Sequence, residues 1–236
     1  GYFIQGWFKF GGVEVFKIGL SKRMGDQAAW DNRTSIYLAS AAGAEFIADV
    51  FLCPLESCRI RLVSQPDFAP SLSATASRLI KEEGFISGFY SGFVPMLFKQ
   101  VPYTMTKFAV QGKTAEAIYA STGTDPSTSG SGAKMAVSLS SGVVAGVAAA
   151  IISHPADTLL SKVNKAGAGG SGSMMSRLSN ITRETGVYTL CTQGLGARCI
   201  MIGTLTALQF GIFDSVMDVL DASKFHFHDP SVPLAH

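Results

Sequence analysis

The sequence predicts an all-α membrane protein built from a repeated helical unit, and three observations predict it. Hydrophobic residues make up 47% of the 236 residues and charged residues only 15%, against roughly 25% charged in an average soluble domain. Gly is abundant, at 25 residues, as expected where small residues let membrane helices approach closely. Long apolar stretches recur at a spacing of about a hundred residues, the mark of an internally repeated architecture.

The repeat is carried by matching signals. Pro54-Leu55-Glu56 has its partner in Pro155-Ala156-Asp157, 101 residues on. Glu82-Glu83-Gly84 matches Glu184-Thr185-Gly186, Ser91-Gly92 matches Gln193-Gly194, and Lys107-Phe108 matches Gln209-Phe210, each 102 residues apart. Lys9-Phe10 lies 98 residues before Lys107-Phe108. One unit therefore occurs twice in full, over residues 35–120 and 133–220, and a third copy contributes only its closing helix, residues 1–20. The chain opens inside that helix at Gly1-Tyr2-Phe3, which points to residues upstream. Residues 221–236 form a polar tail.

Each full unit reads in the same order. A long apolar segment ends in Pro-x-acid followed by basic residues, a short polar amphipathic segment follows, and a second long apolar segment closes the unit. The first unit places these at about 35–64, 72–83 and 90–119, and the second at about 134–165, 173–185 and 192–220. Met135 to Ser153 and Cys199 to Phe213 carry no charge, and a membrane helix needs roughly 20 apolar residues. The other two long segments are interrupted by Glu45 and Asp49, and by Lys99 and Lys107. Facing lipid, each such charge costs about 2.5–3.5 kcal/mol on insertion scales, so these groups face an internal aqueous path. Ser121 to Gly132 and Gly167 to Ser173 are Gly/Ser-rich connectors. The second lacks the Lys-Ser/Thr and the preceding strand of a phosphate loop.

Several classes are excluded. Net charge is only +2, so no nucleic-acid surface is advertised. Cys53, Cys58, Cys191 and Cys199 match no zinc or CxxC spacing and read as small buried thiols. No signal or transit peptide is visible, and no metal cluster, cofactor motif, nucleophile elbow or Ser-His-Asp set marks an enzyme.

Pro54-Leu55-Glu56-Ser57-Cys58-Arg59, with Glu83-Gly84 and Tyr90-Ser91-Gly92 after it, and the second instance at Pro155-Ala156-Asp157, resemble the mitochondrial carrier family. The resemblance spans residues 1–220. It implies a fold of three pseudo-symmetric repeats, each with two tilted transmembrane helices and a short amphipathic matrix helix, around a central cavity. Five of the six membrane helices are accounted for, the opening helix of the first repeat being the exception. Longer strings are similar to the phosphate carrier branch: Gln5-Gly6-x-x-Lys9-Phe10-Gly11, Ala44-Glu45-Phe46-x-Ala48-Asp49, Lys99 through Phe108, Ser153 through Asp157 and Ile200 through Phe210. They imply transport of inorganic phosphate across the mitochondrial inner membrane into the matrix, by proton symport or hydroxide exchange through alternating access. The resemblance also implies contact with membrane lipid, cardiolipin included, and association with respiratory or ATP synthase assemblies.

An anion site in a bilayer needs fixed cations and donors that replace hydration. Lys9, Lys107 and Gln209 occupy matching positions of the three closing helices. Gln5 lies one turn from Lys9, and Tyr103 one turn from both Lys99 and Lys107. Arg198 stands three turns before Gln209 on the same face. These seven residues are the expected substrate contacts. Glu45 and Asp49 share a helix face with Glu56 and are the expected proton-coupling groups, a structural ion pair being the competing role.

The resemblance assigns Glu56, Arg59, Arg61, Asp157 and Lys162 to a gate on the matrix side, where Pro bends each helix and neighbouring repeats pair their charges. Leu160 replaces the cation expected three residues after Asp157, so that network is incomplete or Lys162 stands in. On the opposite side Glu14 and Lys17 keep an acid-x-x-base pattern with Val13 in place of the aromatic. The matching charges are lost at Gly112 and Ala115, and the base at Met217, which predicts a weak cytoplasmic gate. His154 reads as a hydrogen-bonded structural residue, and His226, His228 and His236 are assigned nothing. Two other readings compete: a carrier for another small anion, and a non-transporting structural subunit of an inner-membrane assembly.

Overall fold

The structure, a computed structural model, describes residues 2–65, 67–124, 129–163 and 174–220, together with 222, 225 and 227. Among them every regular element is helical: α1 (Tyr2–Met24), α2 (Asp26–Asp31), α3 (Arg33–Ser64), α4 (Leu72–Glu83), α5 (Phe85–Tyr90), α6 (Phe93–Thr122), α7 (Ser131–Val163), α8 (Met174–Thr185), α9 (Val187–Thr192) and α10 (Leu195–Val219). The connector at Gly167–Ser173 and the tail histidines lie outside the described residues.

Local chemistry sets the ends of the short helices. Ser71 caps α4, its hydroxyl accepting from the Ala74 amide at 3.3 Å, a bond that satisfies one of the free amides of a first turn. The helix stops where Gly84 takes φ 81°, a left-handed value that costs glycine little. Gly186, at φ 78°, does the same after α8. Both acid-containing signals before a glycine thus end a 12-residue helix. Short helices α5 and α9 follow at once, six residues each. They were not expected as separate elements, because six apolar residues merge with the long segment beyond them.

Among the described residues, length and composition qualify three stretches as membrane spans: Arg33–Val63, Ser131–Leu159 and Val187–Val219. Helices α1 and α6 fall outside this set: α1 carries Lys9, Glu14 and Lys17, and α6 carries Lys99, Lys107 and Lys113. Lys9, Lys17 and Lys107 are nevertheless buried. Their charges turn into the protein, the arrangement that makes ionisable groups tolerable in a bilayer. The outer faces are apolar: Phe3, Trp7, Phe51, Ile152, Ile200 and Ile212 are all exposed.

The chain packs as two units that divide within α6, after Val101. In the first, α1 runs along α3 and the α3 end is covered by α4 and α5. Phe8 stacks on Phe51 with ring centres 4.7 Å apart, and Gly12 lies against Ala44. Cys58, Leu79 and Phe89 form a buried cluster joining α3, α4 and α5. In the second unit α7 packs along α10. There the backbones themselves touch: a Cβ added at Gly146 would fall 2.7 Å from both the Gly203 Cα and the Ile202 carbonyl oxygen.

Candidate functional site

The first unit buries a four-residue polar cluster between α1 and α3. Gln5 and Lys9 stand one turn apart on α1, and Glu45 and Asp49 one turn apart on α3. Lys9 Nζ pairs with Glu45 Oε2 at 2.8 Å. Gln5 Nε2 donates to Glu45 Oε1 at 3.2 Å and to Asp49 Oδ1 at 3.5 Å. Glu45 and Asp49 are fully buried, and Gln5 and Lys9 are nearly so. Asp49 Oδ2 has no hydrogen-bond partner among the described residues. Two carboxyl groups thus share one ammonium in a place water does not reach. Such an arrangement is held together by the cation and loses its compensation if the cation leaves.

The second unit holds the matching lysine. Lys107 of α6 is buried and donates to the Gln209 side-chain oxygen on α10. Its ammonium lies 5.4 Å from the Phe210 ring centre and 6.0 Å from that of Phe108. The two rings meet edge to face at 5.4 Å. An ammonium near aromatic faces is stabilised by the ring quadrupole, which adds to the bond that Lys107 makes to Gln209. The rings were missed as site residues, although both directly follow the paired positions, in Lys107-Phe108 and Gln209-Phe210. Gln209 itself is exposed at the other end of the bond. Tyr103 and Lys99 are half-buried on α6, one and two turns before Lys107.

Arg198 stands elsewhere. It is on α10 with Gln209, but its guanidinium donates to Asp157 and, at 3.2 Å, to the Ser153 hydroxyl, both on α7. An expected substrate contact and an expected gate residue therefore form one pair. His154 beside them shares a hydrogen bond of 3.1 Å between its Nε2 and the Gln193 carbonyl, a structural partner of the expected kind.

The remaining gate residues have near neighbours as partners. Arg59 donates to Glu56 at 3.0 Å, one turn away on α3. Arg61 pairs with Glu83 of α4 and lies 5.3 Å from the Phe68 ring centre. Lys162 donates to the Thr185 hydroxyl at 3.3 Å. The Arg61 and Lys162 bonds tie α3 to α4 and α7 to α8, while the Arg59 bond stays within α3. The side chain of Leu160 lies outside the described residues. At the opposite end Lys17 pairs with Glu14 at 2.6 Å within α1 and lies over the Tyr37 ring. Ser138 donates to Asp214, and Gln111 donates to Ser141 at 3.4 Å.

In the first unit a buried ammonium meets a carboxyl pair and an amide, and in the second a buried ammonium meets an amide oxygen and two aromatic rings. Comparison with known proteins agrees with the architecture. The family model described as Mitochondrial carrier protein matches residues 31–121 and 131–224. Mitochondrial substrate carrier family protein N of Dictyostelium discoideum is 48% identical over 223 residues, which are 93% of this chain and 73% of that protein. Solute carrier family 25 member 3 of Bos taurus is 42% identical over 99% of this chain and 60% of its own length. Phosphate carrier protein, mitochondrial, of Caenorhabditis elegans is 42% identical over 95% of this chain and 64% of its own length. The chain thus spans about three-fifths of the length of these last two relatives. The family, the mitochondrial relatives and the apolar helices indicate a multi-pass protein of the mitochondrial inner membrane. With matched regions that together cover most of its length, the chain belongs to the mitochondrial carrier family.

Proposed function

We propose that this protein carries inorganic phosphate into the mitochondrial matrix, by proton symport or the equivalent hydroxide exchange. The observation that carries the reading is the pair of buried lysines at matching positions, Lys9 and Lys107, each beside a glutamine. Phosphate is chosen among small anions because the Caenorhabditis elegans relative is named a phosphate carrier and is 42% identical over 95% of this chain. An arriving anion competes for the Lys9 ammonium. As Lys9 turns to it, Glu45 and Asp49 lose the Lys9 cation, and a proton is the smallest charge that restores balance. Substrate entry and proton uptake are thereby linked through one side chain. Arg59, Arg61, Asp157 and Lys162 act at the matrix end; the Arg59 and Arg61 bonds are exposed, and such pairs break at modest cost when water enters, while the Asp157 and Lys162 bonds are part-buried. The proton as co-substrate, cardiolipin as lipid partner, and association with respiratory or ATP synthase assemblies belong to the same reading and follow from family membership.

The test is uptake of labelled phosphate by the full-length protein in liposomes under an imposed pH gradient, beside Lys107→Gln and Glu45→Gln. Uptake that follows the gradient, falls at least tenfold in Lys107→Gln (about 1.4 kcal/mol) and loses its pH dependence in Glu45→Gln is the expected result. Well-folded wild-type protein without phosphate flux would sink the proposal and favour the structural-subunit reading.

A further inference from the structure

A helical amide donates to the carbonyl four residues before it. Proline has no such amide, so Pro54 inside α3 leaves the Val50 carbonyl without its helical partner. The Tyr90 hydroxyl, arriving from the end of α5, donates to that same carbonyl at 3.1 Å. Two further side chains flanking Pro54 reach the other way. Cys53 Sγ and the Ser57 hydroxyl both donate to the Phe89 carbonyl, at 3.1 and 2.7 Å, and a carbonyl has lone pairs for both. The Tyr90 ring is itself held edge-on by Phe93 at 5.9 Å, and Phe93 packs on Phe46 of α3 at 5.7 Å.

The second repeat lacks this arrangement at the equivalent place. Thr192 stands 102 residues after Tyr90, and its hydroxyl donates to the Tyr188 carbonyl of its own helix at 2.9 Å. His154, 101 residues after Cys53, bonds instead to the Gln193 carbonyl, two residues beyond the position that matches Phe89.

We infer that Tyr90 is a positioning residue for transport: its hydroxyl takes the place of the missing Pro54 amide on the Val50 carbonyl and so fixes the α3 backbone between Asp49 and Glu56. Asp49 immediately precedes the capped carbonyl, and Glu56 follows Pro54 by two residues. Both are therefore aimed by the backbone that this bond fixes. The inference rests on the transport reading, and its consequence is that α3 moves with its short helices α4 and α5 as one body.

The experiment is a double-mutant cycle on Tyr90→Phe and Pro54→Ala in the full-length protein, read by phosphate uptake in liposomes and by thermal melting in detergent. Tyr90→Phe keeps the ring and removes only the donor. It is expected to slow uptake about tenfold and to lower the melting temperature by about 2–4 °C. In the Pro54→Ala background the restored amide bonds Val50 itself, so the same Tyr90→Phe change is expected to cost less than twofold. Ring packing alone would give equal losses in both backgrounds, and that result, or no loss in Tyr90→Phe, overturns the inference. Should Pro54→Ala fail to fold, Thr192→Val decides: it is expected to leave uptake within twofold, and a loss equal to that of Tyr90→Phe overturns the inference. Absence of uptake by wild-type protein would defeat the transport reading, while the melting arm would still decide whether Tyr90 caps Val50.

Discussion

The α1–α3 pair and the α7–α10 pair each join an opening helix to a closing helix, the first across two repeats and the second within one, and they are held by opposite chemistry. Between α1 and α3 lie Gln5, Lys9, Glu45 and Asp49, all buried and bonded to one another. The positions 101 residues beyond Glu45 and Asp49 are Gly146 and Ala150. There α7 and α10 close until backbone meets backbone at Gly146, Ile202 and Gly203. The first pair meets through ionisable groups and the second through backbone contact. A polar interface can be rearranged by a change of charge, whereas a backbone contact can only be separated. The α1–α3 pair is therefore the one that a change of charge can rearrange, and the α7–α10 pair the one that resists separation.

The largest effect expected from breaking this contrast is at Lys9. Lys9→Met removes the cation and leaves Glu45 and Asp49 buried without it, which costs about 3–5 kcal/mol when one partner of a buried pair is lost. The folded yield and melting temperature of the purified protein should fall sharply. Adding Glu45→Gln should recover most of the loss, because the amide leaves no second buried charge. A double variant no more stable than Lys9→Met alone would mean that Lys9 matters for packing and not for charge.

Gly146→Ala should come next. The added methyl meets two backbone atoms at 2.7 Å, and backbone cannot turn aside as a side chain can. Overpacking of this kind costs about 1–3 kcal/mol. Gly6→Ala is the control, since nothing lies within 4 Å of a Cβ there. Equal melting temperatures for the two variants would show that α7 and α10 separate without cost.

Much of this was legible in the sequence, and the limits have physical causes. Helix α4 was expected at 72–83 and forms over Leu72–Glu83, because a serine cap and a glycine stop are local signals. Burial of Glu45, Asp49, Lys9 and Lys107 could be expected from charges that interrupt apolar segments. Helices α2, α5 and α9 were not anticipated, since six residues are too few to show a period. Arg198 was grouped with Gln209 by spacing along α10. Spacing fixes a face of one helix but not the neighbour that meets it, and the neighbour proved to be Asp157 of α7. The Tyr90 bond to Val50 had a signal in Pro54, which announces a freed carbonyl, but the donor comes from 36 residues after Pro54 and only the fold brings it there.

Smaller effects sharpen the comparison from the solvent side. Ser71→Ala removes the cap of α4, for which helix-capping data give about 1 kcal/mol. A drop in melting temperature of a few degrees is the expected readout, without change in the pH dependence of uptake. An altered pH dependence would place α4 in the coupling path and not merely beside it.

The smallest effect should be at Arg78 and Glu82, one turn apart on the same helix and bonded at 2.6 Å. Both side chains are 48% exposed, so water screens the pair, and exposed pairs of this spacing contribute about 0.3–0.5 kcal/mol. Arg78 also donates to the Phe68 carbonyl at 2.5 Å and lies over the Phe68 ring, bonds that Glu82 does not share. Glu82→Gln should therefore leave the melting temperature nearly unchanged, while Arg78→Gln should lower it measurably by loosening the segment between α3 and α4. Equal effects from the two substitutions would assign the whole contribution to the ion pair, and with it would go the view that a cation in this molecule acts through the backbone and ring it meets as much as through its counter-charge.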